Sequence, residues 1–131
     1  NGSHVVFVGL VDGRILYNTM HALIHPVGVD YTQVYDFLNC LDTSPCWGWM
    51  NSNETVRNMT SAIAAELSAV YPQIIAANNY ANFDMFYIDA AGKGGANRVV
   101  SIFPAPPAPV CVDLIEPVDG FHPSQTANVL I

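Results

Sequence analysis

Charge is what this sequence has least of. Only 11% of its 131 residues are charged, while 51% are hydrophobic; a soluble domain ordinarily carries about a quarter charged residues. Arg14, Arg57, Lys93 and Arg98 are the only fixed cations, and the formal net charge is −7. Four scattered cations build no footprint for a phosphate backbone, so a nucleic-acid partner is excluded. Long apolar runs are missing too. None approaches the roughly 20 residues that span a bilayer, so no transmembrane segment is expected, and no stretch is laid out as a signal peptide. Metal-ligand clusters are equally scarce. His21 and His25 are four apart, a spacing that can place two ligands on one helical face, but no third ligand stands nearby and His25 adjoins the helix-breaking Pro26. Both read as exposed or locally bonded histidines, and no cofactor site is expected in this segment.

At this length the chain is one domain at most, with a single core. Its poverty in charge fits either a lipid-facing protein or a piece of a larger domain whose neighbours cover its apolar faces. It opens without a Met, almost directly in a strand, and stops inside an apolar helix; the expectation is the piece. Cysteine is sparse. Cys40 and Cys46 flank a short Pro-containing loop, where a local disulfide is expected, and Cys111 is left over. Two N-glycosylation sequons follow, at Asn53 and Asn58. With a disulfide they lean toward a secreted protein or one held in secretory, lysosomal-type vesicles.

What is present has α/β patterning. Val5 to Leu10 is a β-branched, continuous apolar run, suited to a strand covered on both faces of a parallel sheet. Asp12-Gly13 turns the chain at its carboxyl end, the side on which open α/β sheets gather ligands. Ile15, Leu16, Thr19, Met20 and Leu23 repeat with helical spacing. A second helix is predicted from Tyr31 to Leu41 with Asp30 as cap. Trp47, Trp49 and Met50 then form either an apolar lip for acyl chains or a loop packed on the core. A third helix starts near Asn53 and carries Val56, Met59, Ile63, Leu67 and Val70, with Pro72 expected to kink or break it. Phe83 to Ile88 is a second buried strand. Residues 90–112 are Gly-rich and then Pro-rich, a density of proline that prefers an extended linker.

The chemistry lies near the C-terminus, in Glu116-Pro117-Val118-Asp119-Gly120-Phe121-His122-Pro123-Ser124. Pro117 and Pro123 stiffen this stretch into a loop, and a helix follows over Ser124 to Ile131. An imidazole titrates near neutrality and can take a proton from a hydroxyl and return it to a leaving group. A carboxylate three residues away can hold the ring in one tautomer. His122 and Asp119 fit those roles, against the plainer reading of a surface loop.

Leu114 to Pro123 resembles the last motif block of the acyloxyacyl hydrolase family, within the SGNH (GDSL-type) esterase superfamily. Gly9-Leu10-Val11-Asp12-Gly13, Tyr31-Thr32-Gln33, Ser44-Pro45-Cys46 and Gly48-Trp49-Met50 point to the same family. The likeness covers about Asn1 to Asp89 and Asp113 to Ile131. It implies a partial three-layer, flavodoxin-like SGNH fold, a parallel sheet flanked by helices, with residues 1–131 as the C-terminal portion of one hydrolase domain. It implies that Asp119 and His122 complete a Ser-His-Asp triad, and that the family has a helix where residues 90–112 diverge.

The nucleophile is absent. In the superfamily it belongs to a Gly-Asp-Ser block near the domain start, and oxyanion donors come from later Gly and Asn blocks; none is here. Ser3, Ser44, Ser52, Ser61, Ser68, Ser101 and Ser124 all lack the strand-to-turn setting an activated serine requires. The fragment alone is therefore expected to be inactive without the N-terminal part of the same protein. By resemblance the intact enzyme releases secondary fatty acyl chains from the lipid A of lipopolysaccharide and carries calcium, whose ligands are not in this segment. Two alternatives are a GDSL-type esterase acting on another lipid or an acetyl ester, and a non-catalytic lipid-binding relative.

Overall fold

The computed structural model describes residues 2–89 and 113–130. The Gly/Pro-rich stretch 90–112, with Cys111, lies outside the described residues, so the linker reading is not met here. In chain order the elements are β1 (Ser3–Val8), α1 (Arg14–Met20), α2 (Tyr31–Cys40), α3 (Glu54–Ala77), β2 (Phe83–Ile88) and α4 (Gln125–Leu130). β1 and β2 pair in parallel, with Ser3 opposite Phe83 and Val8 opposite Ile88. Parallel neighbours need a crossover connection, and α1 to α3 provide it. The architecture is mixed α/β with helices against a small parallel sheet, consistent with part of an SGNH-type fold.

Each helix start has a local cause. Gln33 accepts from the backbone N–H of Asp30 at 3.2 Å, one arm of a capping box at the head of α2. Asn53 accepts from Thr55 N–H at 2.9 Å and Glu54 stands at the positive end of α3. Ser124 accepts from Ala127 N–H at 3.3 Å, so α4 begins one residue after it. Pro72 removes the N–H that would bond the carbonyl four residues back, yet α3 continues past it to Ala77 without a break. No helix among the described residues is long and apolar enough to cross a membrane.

One expectation about burial is corrected. The strands are not covered on both faces: Val6, Val8 and Phe86 are exposed, while Phe7 stacks on Tyr71 of α3 at 5.3 Å. The face of α3 that turns inward is also not the apolar one. Ser61, Ala64 and Ser68 are buried, whereas Met59, Ile63 and Leu67 are 60%, 53% and 53% exposed. Small residues let the helix approach closely, and their hydroxyls meet specific partners. Ser68 accepts from Leu10 N–H at 2.8 Å, and Ser61 donates to Asp12 at 2.6 Å while accepting from Trp49 Nε1–H at 2.9 Å.

The core lies among the helices and the C-terminal segment: Leu16, Tyr17, Met20, Tyr31, Tyr35, Trp49, Met50, Ala64, Leu114, Ile115 and Ala127. Trp49 and Met50 thus belong to the core, and of the three residues considered for an apolar lip only Trp47 is exposed. Cys40 and Cys46 are free thiols rather than a disulfide. Cys40 ends α2 facing solvent while Cys46 packs against the core, so short spacing does not bring them together.

Candidate active site

The loop 113–124 is tied to itself first. Glu116 N–H donates to His122 O at 2.8 Å, Gly120 N–H to Glu116 O at 2.8 Å, and Ser124 N–H to Leu114 O at 2.8 Å. Gly120 has φ +63, a left-handed turn that brings Asp119 and His122 to the same side. The result is a contact the spacing predicted: His122 Nδ1 lies 2.8 Å from Asp119 Oδ2. The other carboxylate oxygen accepts N–H bonds from Phe121 at 2.8 Å and His122 at 3.0 Å. Burial raises the Asp119 pKa, but the bonds from His122 and the two amides outweigh it and hold the group below its ordinary value. With the carboxylate ionised, Nδ1 carries the proton and Nε2 keeps its lone pair free to accept one. The imidazole remains 60% exposed and the carboxylate 31%.

Three side chains from distant sequence hold this turn. Tyr31 Oη donates to Pro117 O at 2.6 Å, Tyr35 Oη to Gly120 O at 3.2 Å, and His25 Nε2 bonds Val118 O at 2.7 Å. His25 is neither exposed nor bonded only to its neighbours. Its Nδ1 accepts from Val27 N–H at 3.2 Å, which makes Nε2 the donor. Burial raises the Tyr31 and Tyr35 pKa values and the charge of Asp119 raises them further, so both phenols stay protonated donors. Rings link the helices to the loop, from Tyr17 to Tyr35 at 6.1 Å, Tyr35 to Tyr31 at 5.9 Å and Tyr31 to His25 at 5.0 Å. Sequence reading missed the buried role of His25; its position beside Pro26, next to an aromatic helix, was the only available sign.

Asp12, at the turn after β1, is engaged with Arg14 and Ser61, and Arg14 reaches Asn58 at 2.9 Å. Burial raises its pKa, but these bonds outweigh it and leave the carboxylate below its ordinary value. This is a fixed structural cluster, and it is not joined by hydrogen bonds to His122. A second His–Asp pair, His4 with Asp84 at 3.3 Å, sits near the amino ends of the strands, the wrong end for an α/β site. His21 bonds the carbonyls of Tyr17 and Asn18 at 3.1 Å, as a locally bonded histidine should. Among the described residues no group of three or more His, Cys, Asp and Glu side chains stands together that could hold a metal ion.

Among the described residues no serine hydroxyl bonds the imidazole. Ser52 donates to Asp36 and Ser124 to Asp113 O, while Ser61 and Ser68 are engaged as above. No known protein-family profile matches the chain. Individual proteins do. Human acyloxyacyl hydrolase is 42% identical over 145 residues, covering 100% of this chain. Over its whole length this chain is similar to one part of an acyloxyacyl hydrolase. The rabbit (Oryctolagus cuniculus) acyloxyacyl hydrolase is 42% identical over 134 residues and 98% of the chain, and the mouse one 42% over 144 residues and 99%. The chain spans only 22–23% of the length of these relatives.

Proposed function

We propose that this chain supplies the general base and its orienting acid to a carboxylic ester hydrolase whose serine nucleophile lies elsewhere in the same protein. The observation that carries the reading is the 2.8 Å bond between His122 Nδ1 and Asp119 Oδ2. It presents Nε2 as a proton acceptor while the carboxylate stabilises the imidazolium that follows. His122 would take the proton of the attacking hydroxyl and then give it to the departing alkoxide. The likeness to acyloxyacyl hydrolases favours the ester inside an acyloxyacyl group, which joins a secondary fatty acyl chain to the hydroxyl of the acyl chain that bears it, as the bond broken, with lipid A of lipopolysaccharide as substrate. The segment would be the C-terminal part of the hydrolase domain in a secreted or vesicular glycoprotein. Exposed Asn53 and Asn58 suit glycan attachment. Calcium, if the intact protein holds it, would be bound outside the described residues, and no step here depends on it.

The test is a His122→Ala change in the full-length protein, assayed for fatty-acid release from lipopolysaccharide. Nearly complete loss of activity is expected, because triad members act as a unit. Retention of half the rate would remove His122 from the chemistry. The segment expressed alone is expected to show no turnover.

A further inference from the structure

We infer that His25, Tyr31 and Tyr35 are positioning residues for the Asp119–His122 pair, acting through the backbone of the loop that carries it; the inference rests on the ester-hydrolase reading above. The bond between Asp119 and His122 joins residues three apart in one loop. It fixes the ring relative to the carboxylate, but it cannot fix where the pair stands relative to a nucleophile on another part of the protein. That location must come from bonds that leave the loop.

The loop's own backbone bonds close its ends, from Glu116 to His122 and from Gly120 to Glu116. The carbonyls of Pro117, Val118 and Gly120 are instead taken by the side chains of Tyr31, His25 and Tyr35, which lie 85 to 93 positions away in sequence. These three acceptors fall within four residues and bracket Asp119 on both sides. Each donor is itself constrained. The N–H of Val27 sets the His25 tautomer, and the two phenols are buried side by side on successive turns of α2. The fit is close enough that a Cβ on Gly120 would come within 2.6 Å of Tyr35 Oη and 2.9 Å of the Tyr31 ring. A general base works only within about 2.6–3.2 Å of the proton it takes. A misplacement of about 1 Å costs roughly a hundredfold in rate.

The experiment uses the full-length protein and a chromogenic fatty-acyl ester. Tyr31→Phe with Tyr35→Phe keeps both rings and removes only the two hydroxyls. We expect kcat to fall by about tenfold or more with KM within about twofold, since the binding surface is intact while the base is loosened. On a His122→Ala background the same pair of changes should have no further effect, because nothing remains to be positioned. His25→Ala should lower kcat and His25→Gln should restore most of it, since the Gln amide can again donate to Val118 O. A double Phe variant within twofold of the wild-type kcat overturns the inference. So does a fall of equal size on the His122→Ala background, or one matched by loss of folded protein in circular dichroism. A His122→Ala enzyme that keeps half its rate overturns the hydrolase reading itself, and the positioning role falls with it.

Discussion

Asp119 divides its two carboxylate oxygens between the ring of His122 and the backbone around it: Oδ2 meets Nδ1 at 2.8 Å, while Oδ1 accepts from Phe121 N–H and His122 N–H. One oxygen sets the tautomer of the ring; the other anchors the carboxylate to the turn.

That division makes Asp119→Asn informative. The amide oxygen can keep the two backbone bonds, which leaves the amide N–H facing Nδ1. Nδ1 must then become an acceptor, the ring proton moves to Nε2, and the base is lost while the loop stands. We expect kcat of the full-length protein to drop by about 10⁴-fold with its circular dichroism unchanged. A drop smaller than tenfold would show that the tautomer is not set by this carboxylate.

Gly120 is where the loop is least tolerant. Its φ of +63 is unfavourable for a residue with a Cβ, and an added methyl would collide with Tyr35 Oη at 2.6 Å. The conformational cost is about 1–2 kcal/mol and overpacking adds about 1–3 kcal/mol. Gly120→Ala should therefore lower the urea midpoint by an amount equal to about 2–5 kcal/mol. An unchanged midpoint would mean that the turn relaxes freely.

How far the sequence could be read depended on where each residue's partner lies. β2 spans Phe83–Ile88 as its apolar run predicts, and α2 ends one residue before the expected Leu41. The Asp119–His122 pair was legible because both partners sit in one proline-fenced loop. The inward face of α3 was not: the helix carries Met59, Ile63 and Leu67, yet Ser61, Ala64 and Ser68 are the residues that turn inward. Ser61 and Ser68 are buried because Asp12, Trp49 and Leu10 need hydroxyl partners there. His25 was misread for the same reason, its carbonyl partner being 93 residues away. The Cys40–Cys46 pairing failed because spacing says nothing about which way the end of a helix faces.

Ser61 gives a direct check on that packing. Its hydroxyl accepts from Trp49 Nε1–H at 2.9 Å in the folded interior and donates to the half-exposed Asp12 at 2.6 Å. Ser61→Ala removes no volume worth counting but strands a buried indole N–H. A loss of about 1–3 kcal/mol is expected from chemical denaturation. A Ser61→Thr change, which restores a hydroxyl, should recover part of it. If the Ala variant matches wild type, water must reach the indole, and the close approach of α3 is wrong.

Acid should undo the Asp119–His122 loop before it affects the aromatic core. The bonds from His122, Phe121 and the His122 amide hold the folded Asp119 pKa below its ordinary value. A carboxylate depressed by folding stabilises the folded state in full above its unfolded pKa, about 3.9, and that contribution fades as pH falls through the lower folded value. The contribution of Asp119 to the stability gap between wild type and Asp119→Asn should accordingly be lost as pH falls from about 5 to below about 4. Urea midpoints of the two full-length proteins across that range measure it. Asp12, held low by Arg14 and Ser61, titrates in both proteins and cancels in the difference. A gap that did not shrink below about 4 would mean that folding does not depress the Asp119 carboxyl, and that its bonds to the ring and to the two amides do not hold it ionised.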